Sequence, residues 1–417
     1  MFRVIALCIL FMVNVILHTD GKLPFTEDTL KDKYGDIIFS TVIFRHGHRT
    51  PVTQYRYAEK DPQAEEYWKE NWPEGIGQLT KQGKQQMYSL GKWYHERYES
   101  LVSEGYKPDL LKEESSDVDR TIMSGLTFLA GFLYPNENEM WADDGLKWQP
   151  VPVRQIPLDQ DYTLALYGVK CDRYDLEKKR LKEHELMKTY YENEKYRKVF
   201  DIINAKSGLK ATPDDMIQAI KNAFMLYDIF SLERARNIDL PDWAAEIYPE
   251  PLTEIAGLNF TLRVHTDQMK KIKAGVLIGK IIKEMEAKVE GKEPRTFHLY
   301  SAHDFTVVAL LKSLNVENYD GHVAAHSSSV MIELRQKNKD HVVTILYKTS
   351  DTSEPQFLHV KECTDYCTLD TFKSLTKHLI LEQKDWNTEC TITPAEKAYL
   401  DEKVPEAESS QAKSTSD

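Results

Sequence analysis

Eight residues, Phe44 to Pro51 (FRHGHRTP), set His46 between Arg45 and Arg49 beside Gly47. Two guanidiniums this close can grip a phosphoryl group bidentately, because their planar forks match its oxygens. An imidazole between them is a candidate nucleophile, and Gly47 is expected to let the backbone turn tightly beneath it. A second pair, His303-Asp304 in YSAHDFTV, follows another apolar run far downstream. Cleaving a phosphate monoester needs an in-line nucleophile, positive charge around the equatorial oxygens and a proton for the departing alkoxide. His46 fits the first role, the arginines and His303 the second, and Asp304 the third. Neighbouring arginines favour neutral His46, since they oppose further positive charge. Asp304 must be protonated to donate, so acidic conditions suit it unless burial raises its pKa.

These groups need elements to bring them together. Asp36 to Phe44 is nearly continuous in Ile, Phe and Val, and Thr296 to Ser301 repeats the style, so both read as buried strands of a mostly parallel sheet. Their carboxyl ends would carry both motifs to one sheet edge, where open α/β proteins place ligands. Phe305 to Leu314 reads as an apolar helix whose amino end adds a favourable dipole for an anion. Met87, Leu90, Tyr94, Tyr98 and Leu101, and later Leu277, Ile281 and Met285, recur at helical steps. Strands alternating with such helices predict an α/β layered core. Asp172 to Phe200, dense in Lys, Glu, Arg and Tyr, begins a helical insertion over one end of the sheet, and its interleaved charges read as a solvated face. The expected organisation is a leader over 1–21, a core from 22–155 and 270–392, a helical insertion over 156–269, and a polar tail over 393–417.

The chain of 417 residues carries a formal charge of −12. That balance argues against nucleic acid or an anionic membrane surface as the main partner, so any anion site must be local. Met1 to Arg3, the apolar stretch Val4 to Leu17 and the polar residues after it read as a secretory signal peptide, and no later segment is apolar enough to span a membrane in the mature form. Of five cysteines, Cys8 falls in the leader; Cys171, Cys363, Cys367 and Cys390 form an even set, as for two disulfides in an oxidising compartment. Three pairings are open by arithmetic. The short spacing of Cys363 and Cys367 favours a local loop, which leaves Cys171 for Cys390; a zinc site on the close pair is the competing reading. Asn259-Phe260-Thr261 is a glycosylation acceptor and implies a surface position if used.

The pattern Arg-His-Gly-x-Arg-x-Pro at Arg45 to Pro51, with His303-Asp304 downstream, resembles the histidine acid phosphatase family, and most of all its prostatic, lysosomal and insect venom members. The stretches NWPEGIGQLTKQG from Asn71, SSDVDRTIMSG from Ser115, WQPVPV from Trp148, LPDW at Leu240 and GVLIGKII from Gly275 agree, so the resemblance runs from about Asp36 to Cys390. It implies a three-layer mixed-sheet core of phosphoglycerate mutase type with a mainly helical insertion. It also implies a covalent phosphohistidine at His46, Asp304 as proton donor, and Arg45, Arg49, Arg120 and His303 holding the phosphate. Spacing alone would not select Arg120. The resemblance implies no metal or organic cofactor, a homodimer as one assembly, and bridges Cys171–Cys390 and Cys363–Cys367. A third bridge of vertebrate relatives has no cysteines here. His48 stands where relatives carry an acidic or small residue.

The expected activity is hydrolysis of small phosphate monoesters or phosphorylated peptides by a secreted enzyme, a lysosomal destination being the other reading. An inositol phosphate phosphatase would want a basic cleft, which this acidic chain does not advertise. A venom or binding component with incidental activity belongs to a different class, and turnover of an aryl phosphate separates the two. Other residues have plainer expectations: His322, His326 and His341 as loop or surface residues, and Trp68, Trp72 and Trp93 as packing or cleft walls.

Overall fold

The computed structural model describes residues 26–53, 64–212, 215–363 and 365–402. The expected leader over 1–21 and the end of the expected tail, beyond 402, lie outside the described residues.

Seven strands form one sheet in the order β3-β2-β4-β1-β5-β6-β7: β1 (Asp36–Arg45), β2 (Leu111–Ser116), β3 (Val153–Ile156), β4 (Phe297–Ala302), β5 (Ser329–Lys337), β6 (Asp340–Lys348) and β7 (Gln356–Leu358). β1 pairs parallel with β4 on one side and antiparallel with β5 on the other. The sheet is therefore mixed: its β3-β2-β4-β1 half is parallel, and β5 to β7 form a meander. Because side chains alternate along a strand, Phe39 and Ile43 enter one apolar cluster while Val42 and Phe44 enter another on the opposite face. Burial on both faces explains why β1 reads as an unbroken apolar run.

Helices cover both faces. α1 (Lys81–Arg97) and α2 (Asp119–Phe132) pack beneath Val42 and Phe44 through Met87, Leu90, Phe128 and Phe132. In the insertion, α3 (Met216–Ala235) and α4 (Leu252–Thr261) share a second core, in which Ile220, Phe230 and Ile255 meet Val199 and Tyr196. α5 (Asp267–Val289) and α6 (Asp304–Ser313) cover the other sheet face, with Ile278, Ile281, Val307 and Leu311 against Phe39 and Ile43. α5 serves both cores: Met269, Ile272 and Val276 face the insertion, and Leu277, Ile281 and Met285 face the sheet. The boundary expected near 270 thus falls inside one continuous helix.

Cys171 is bonded to Cys390 and Cys363 to Cys367, with Cα separations of 4.7 and 5.5 Å. One expectation needs correction. Residues 393–402, expected within a polar tail, include a helix, Pro394–Asp401, opened by a Thr393–Glu396 capping box and tied to the insertion by Arg173–Glu396 at 2.7 Å. Asn259, which would need a surface position to carry a glycan, is 9% exposed in α4, which packs against both α3 and α6.

Candidate active site

β1 ends at Arg45 and β4 at Ala302, and the two residues are register partners, so the motifs that follow them emerge side by side. His46 and His303 face each other edge to face, with ring centroids 5.8 Å apart. The peptide N–H of His46 donates to the Ala302 carbonyl at 3.1 Å, which locks the two strand ends together. α6 begins at Asp304, so its amino end opens onto the same space.

The loop after His46 is held by the α1/α2 pair. Gly47 donates its N–H to Ser124 Oγ on α2 at 3.2 Å, and His48 donates its N–H to Gln86 Oε1 on α1 at 2.8 Å. A Cβ on Gly47 would lie 2.4 Å from the Gly83 carbonyl oxygen. Glycine is required here for close approach to the helix, rather than for the tight turn the sequence suggests. His48 also finds an explanation. Its Nδ1 lies 2.9 Å from Thr80 Oγ1, the N-cap of α1, and the Thr80 N–H and hydroxyl both donate to the His48 carbonyl. His48 fastens the motif to a helix start.

His46 Nδ1 sits 2.9 Å from the Gly47 carbonyl oxygen. A carbonyl can only accept, so the neutral ring carries its proton on Nδ1 and keeps its lone pair on Nε2. Burial, then Arg120, Arg45 and Arg49, hold the His46 pKa well below the usual histidine value. His303 is lowered to about 3 by burial and by Arg120, with Asp304 opposing. Its Nε2 is hydrogen-bonded to Ser116 Oγ at 2.8 Å.

Each arginine reaches the site from a different element. Arg45 bridges Asp304 Oδ2 at 2.9 Å and donates to the Ala324 carbonyl at 2.6 Å. Arg49 grips Asp228 of α3 through Nη2, at 2.9 and 3.1 Å to the two carboxylate oxygens. Arg120 enters from the first turn of α2; burial and Arg49 lower its pKa to about 10. The Nε atoms of all three are buried without a hydrogen-bond partner among the described residues, as is His326 Nε2. Buried donors are almost always satisfied, so a group of orphans at one place marks a cradle shaped for an anion. Burial works to raise the pKa of Asp304, but Arg45, Arg49, His303 and the Phe305 N–H together bring it below the ordinary carboxylate value.

The residues named from sequence, Arg45, His46, Arg49, Arg120, His303 and Asp304, therefore converge. Three neighbours escaped it. Asp228 comes from the insertion, and nothing local distinguishes it. Tyr167 is exposed, with its ring 5.9 Å from His303. His326, expected in a loop or at the surface, lies 5.8 Å from the His46 ring and 5.5 Å from the His48 ring. It precedes β5, whose Ser329 pairs with Phe44, so only the strand register could have placed it.

Residues 36–348 match the histidine phosphatase superfamily (branch 2). The chain is 34% identical over 369 residues to the prostatic acid phosphatase of Rattus norvegicus, covering 88% of this chain and 92% of that protein. It is 31% identical to the lysosomal acid phosphatase of the same organism, over 85% of this chain and 80% of the relative. Among solved structures, a Hafnia alvei phytase in complex with myo-inositol hexakis sulphate shares the fold, with a TM-score of 0.62 and 15% identity over 86% of this chain and 99% of that one. The multiple inositol polyphosphate phosphatase of Bifidobacterium longum shares it too, with a TM-score of 0.56 and 16% identity over 88% and 96% of the two chains. On the family match and these identities over most of its length, the chain belongs to branch 2 of the histidine phosphatase superfamily and is a hydrolase of phosphate monoesters.

Proposed function

We propose that the chain is a secretory-pathway acid phosphatase that works through a phosphohistidine at His46. The observation that carries this reading is the Nδ1 contact of His46 with the Gly47 carbonyl, which leaves a lone pair on Nε2 beside three buried arginines. In the first step Nε2 forms a bond to phosphorus, the phosphorus–ester oxygen bond breaks, and the Asp304 proton passes to the departing alkoxide. In the second, water attacks the phosphohistidine, Asp304 takes a proton from it, and the phosphorus–nitrogen bond breaks. Arg45, Arg49, Arg120 and His303 hold the phosphoryl oxygens throughout.

Asp304 starts with a low pKa because Arg45 is paired to it. A bound phosphate competes for Arg45 and adds negative charge, and both effects raise the Asp304 pKa towards that of a usable acid. Acidic solution assists the same protonation. Beyond the arginines the surroundings include the aromatic and acidic side chains Tyr167, Tyr227 and Asp228. The leader-like first residues and the two disulfides support a secreted product.

The test is turnover of an aryl and an alkyl phosphate by the pure protein from acidic to neutral pH. His46→Ala should eliminate both turnover and phosphoenzyme. Asp304→Asn should slow the alkyl ester, whose leaving group needs a proton, far more than an activated aryl ester. Equal slowing would remove Asp304 from the role of acid, and no hydrolysis at any pH would end the proposal.

A further inference from the structure

His326 is built into the site more firmly than a loop residue needs to be. The segment that carries it is stitched to the nucleophile strand: the Arg45 N–H donates to the Ser328 carbonyl at 2.9 Å and the Ser327 N–H donates to the His46 carbonyl at 3.2 Å. Arg45 Nη1 adds its bond to the Ala324 carbonyl. Ser327 holds φ at 60°, in the left-handed region that side chains rarely adopt. It is kept there by its hydroxyl, which donates to Asp351 Oδ1 at 2.8 Å and accepts the Asp351 N–H at 3.1 Å. Such strain, where the surroundings enforce it, marks a side chain that is being aimed.

The aim is at the phosphate cradle. His46 has two imidazoles at 5.8 Å, His303 arriving from the β4 side of β1 and His326 from the β5 side. His303 Nε2 is engaged with Ser116, whereas His326 Nε2 is buried with no partner among the described residues. His48, the other near ring, is already engaged, with its Nδ1 2.9 Å from Thr80 Oγ1 and the Leu232 carbonyl beside its ring. The charged and titratable groups facing His326 are Arg45, Arg49, Arg120, His46 and His48, and with burial they hold it neutral. A neutral imidazole carries one N–H, and the unsatisfied nitrogen is where a phosphoryl oxygen would accept it.

We propose that His326 is a further substrate-contacting residue, donating from Nε2 to a phosphoryl oxygen from the β5 side of β1. This deepens the phosphatase reading and rests on it. His326 would act as an uncharged donor, so it adds grip without adding to the repulsion among the arginines.

The probe is inorganic phosphate, measured by calorimetry and by its effect on melting temperature, with no need for turnover. His326→Phe keeps a ring against His46 and His48 but has no donor; phosphate should bind roughly tenfold more weakly or worse, while the ligand-free melting temperature holds or rises. His326→Gln returns an N–H near the Nε2 position and should recover most of the affinity. His326→Leu repeats the donor-free test should the phenylalanine fail to pack. Equal phosphate affinity in the donor-free variants and the unmodified protein would overturn the inference alone, leaving His326 as a packing partner of His48. Loss of affinity in His326→Gln as large as in the donor-free variants would also overturn it. If the unmodified protein binds no phosphate, the phosphatase reading fails and takes this inference with it.

Discussion

Strand β1 carries buried charge near both of its ends, and the two clusters are managed in opposite ways. Near its start, Glu333 and Arg335 of β5 meet Arg97 of α1 and Glu27 in a closed network. Glu333 accepts from Arg97 at 2.7 Å, from Tyr98 at 2.8 Å and from Arg335 at 2.6 Å, and Arg335 is bidentate to Glu27 at 2.8 Å on each arm. At its carboxyl end the arginines outnumber their carboxylates, three Nε atoms are orphaned, and the histidines between them are forced to stay neutral. Saturated charge of the first kind contributes to the fold. Unsaturated charge of the second kind is held in place by the fold, and the partner proposed for it is the phosphate of a substrate.

Breaking the closed network should give the largest effect. Glu333→Ala leaves two buried guanidiniums to share Glu27 alone and should lower unfolding free energy by about 3 kcal/mol, read by urea titration, while the folded fraction keeps its catalytic rate. Loss of activity in step with loss of stability would sustain the contrast; a specific fall in kcat of folded protein would break it. Burial opposes ionisation of Glu333, but Arg97 and Arg335 prevail and bring its pKa down to about 2. Its contribution is therefore complete above the ordinary glutamate value and fades only as pH falls towards 2, so the network survives acid.

Opening the other cluster further should do the reverse. Arg120→Ala should lower kcat/KM by roughly 10²- to 10³-fold, as for loss of one preorganised donor, and leave the melting temperature unchanged or higher. A large fall in stability with modest loss of rate would mean that Arg120 belongs with the structural charges.

Glu113 of β2 sharpens the comparison, because it is an orphan without an evident ligand. Both of its oxygens are buried without partners among the described residues, and burial raises its pKa to about 8. Gly125 makes its space, since a Cβ there would come within 2.1 Å of the carboxylate. The unfolded chain ionises near 4.5 and the folded chain near 8. Between those values the native state binds more protons, so stability should fall with rising pH by about 1.4 kcal/mol per unit and then level off. Glu113→Gln should flatten that slope in denaturation measured at several pH values, and an unchanged slope would assign it to other groups.

How far the site could be read from sequence depended on where each residue sits relative to its neighbours in the chain. Arg45, His46 and Arg49 share one loop, and His303-Asp304 lie at the mouth of one strand and helix, so residue type and spacing expose them. Arg120 needed the likeness to relatives, because a lone arginine in the first turn of a helix has a common surface alternative. Asp228 and His326 gave no local sign at all. One reaches Arg49 across the insertion interface, and the other is delivered by the antiparallel partner of β1. The fold showed the same division. The apolar runs of β1 and β4 and the helical periodicities were plain, whereas a single helix serving two cores was not, because α5 changes partners without changing its pattern.

By itself the sequence marked the candidate chemistry: the imidazole proposed to attack, the two guanidiniums of its own loop, the carboxyl proposed to give a proton, and the apolar runs that must be buried to place them. Those facts are carried by residues close in the chain or by patterns with a fixed period. Only the tertiary structure decided the rest. It set the tautomer of His46 through the Gly47 carbonyl, bound His48 to the start of α1, buried Asn259, and left the cradle's nitrogens unpaired beside His326. Each depends on what a side chain meets across the sheet or between helices, and such meetings are fixed by register and packing that no local run of residues encodes.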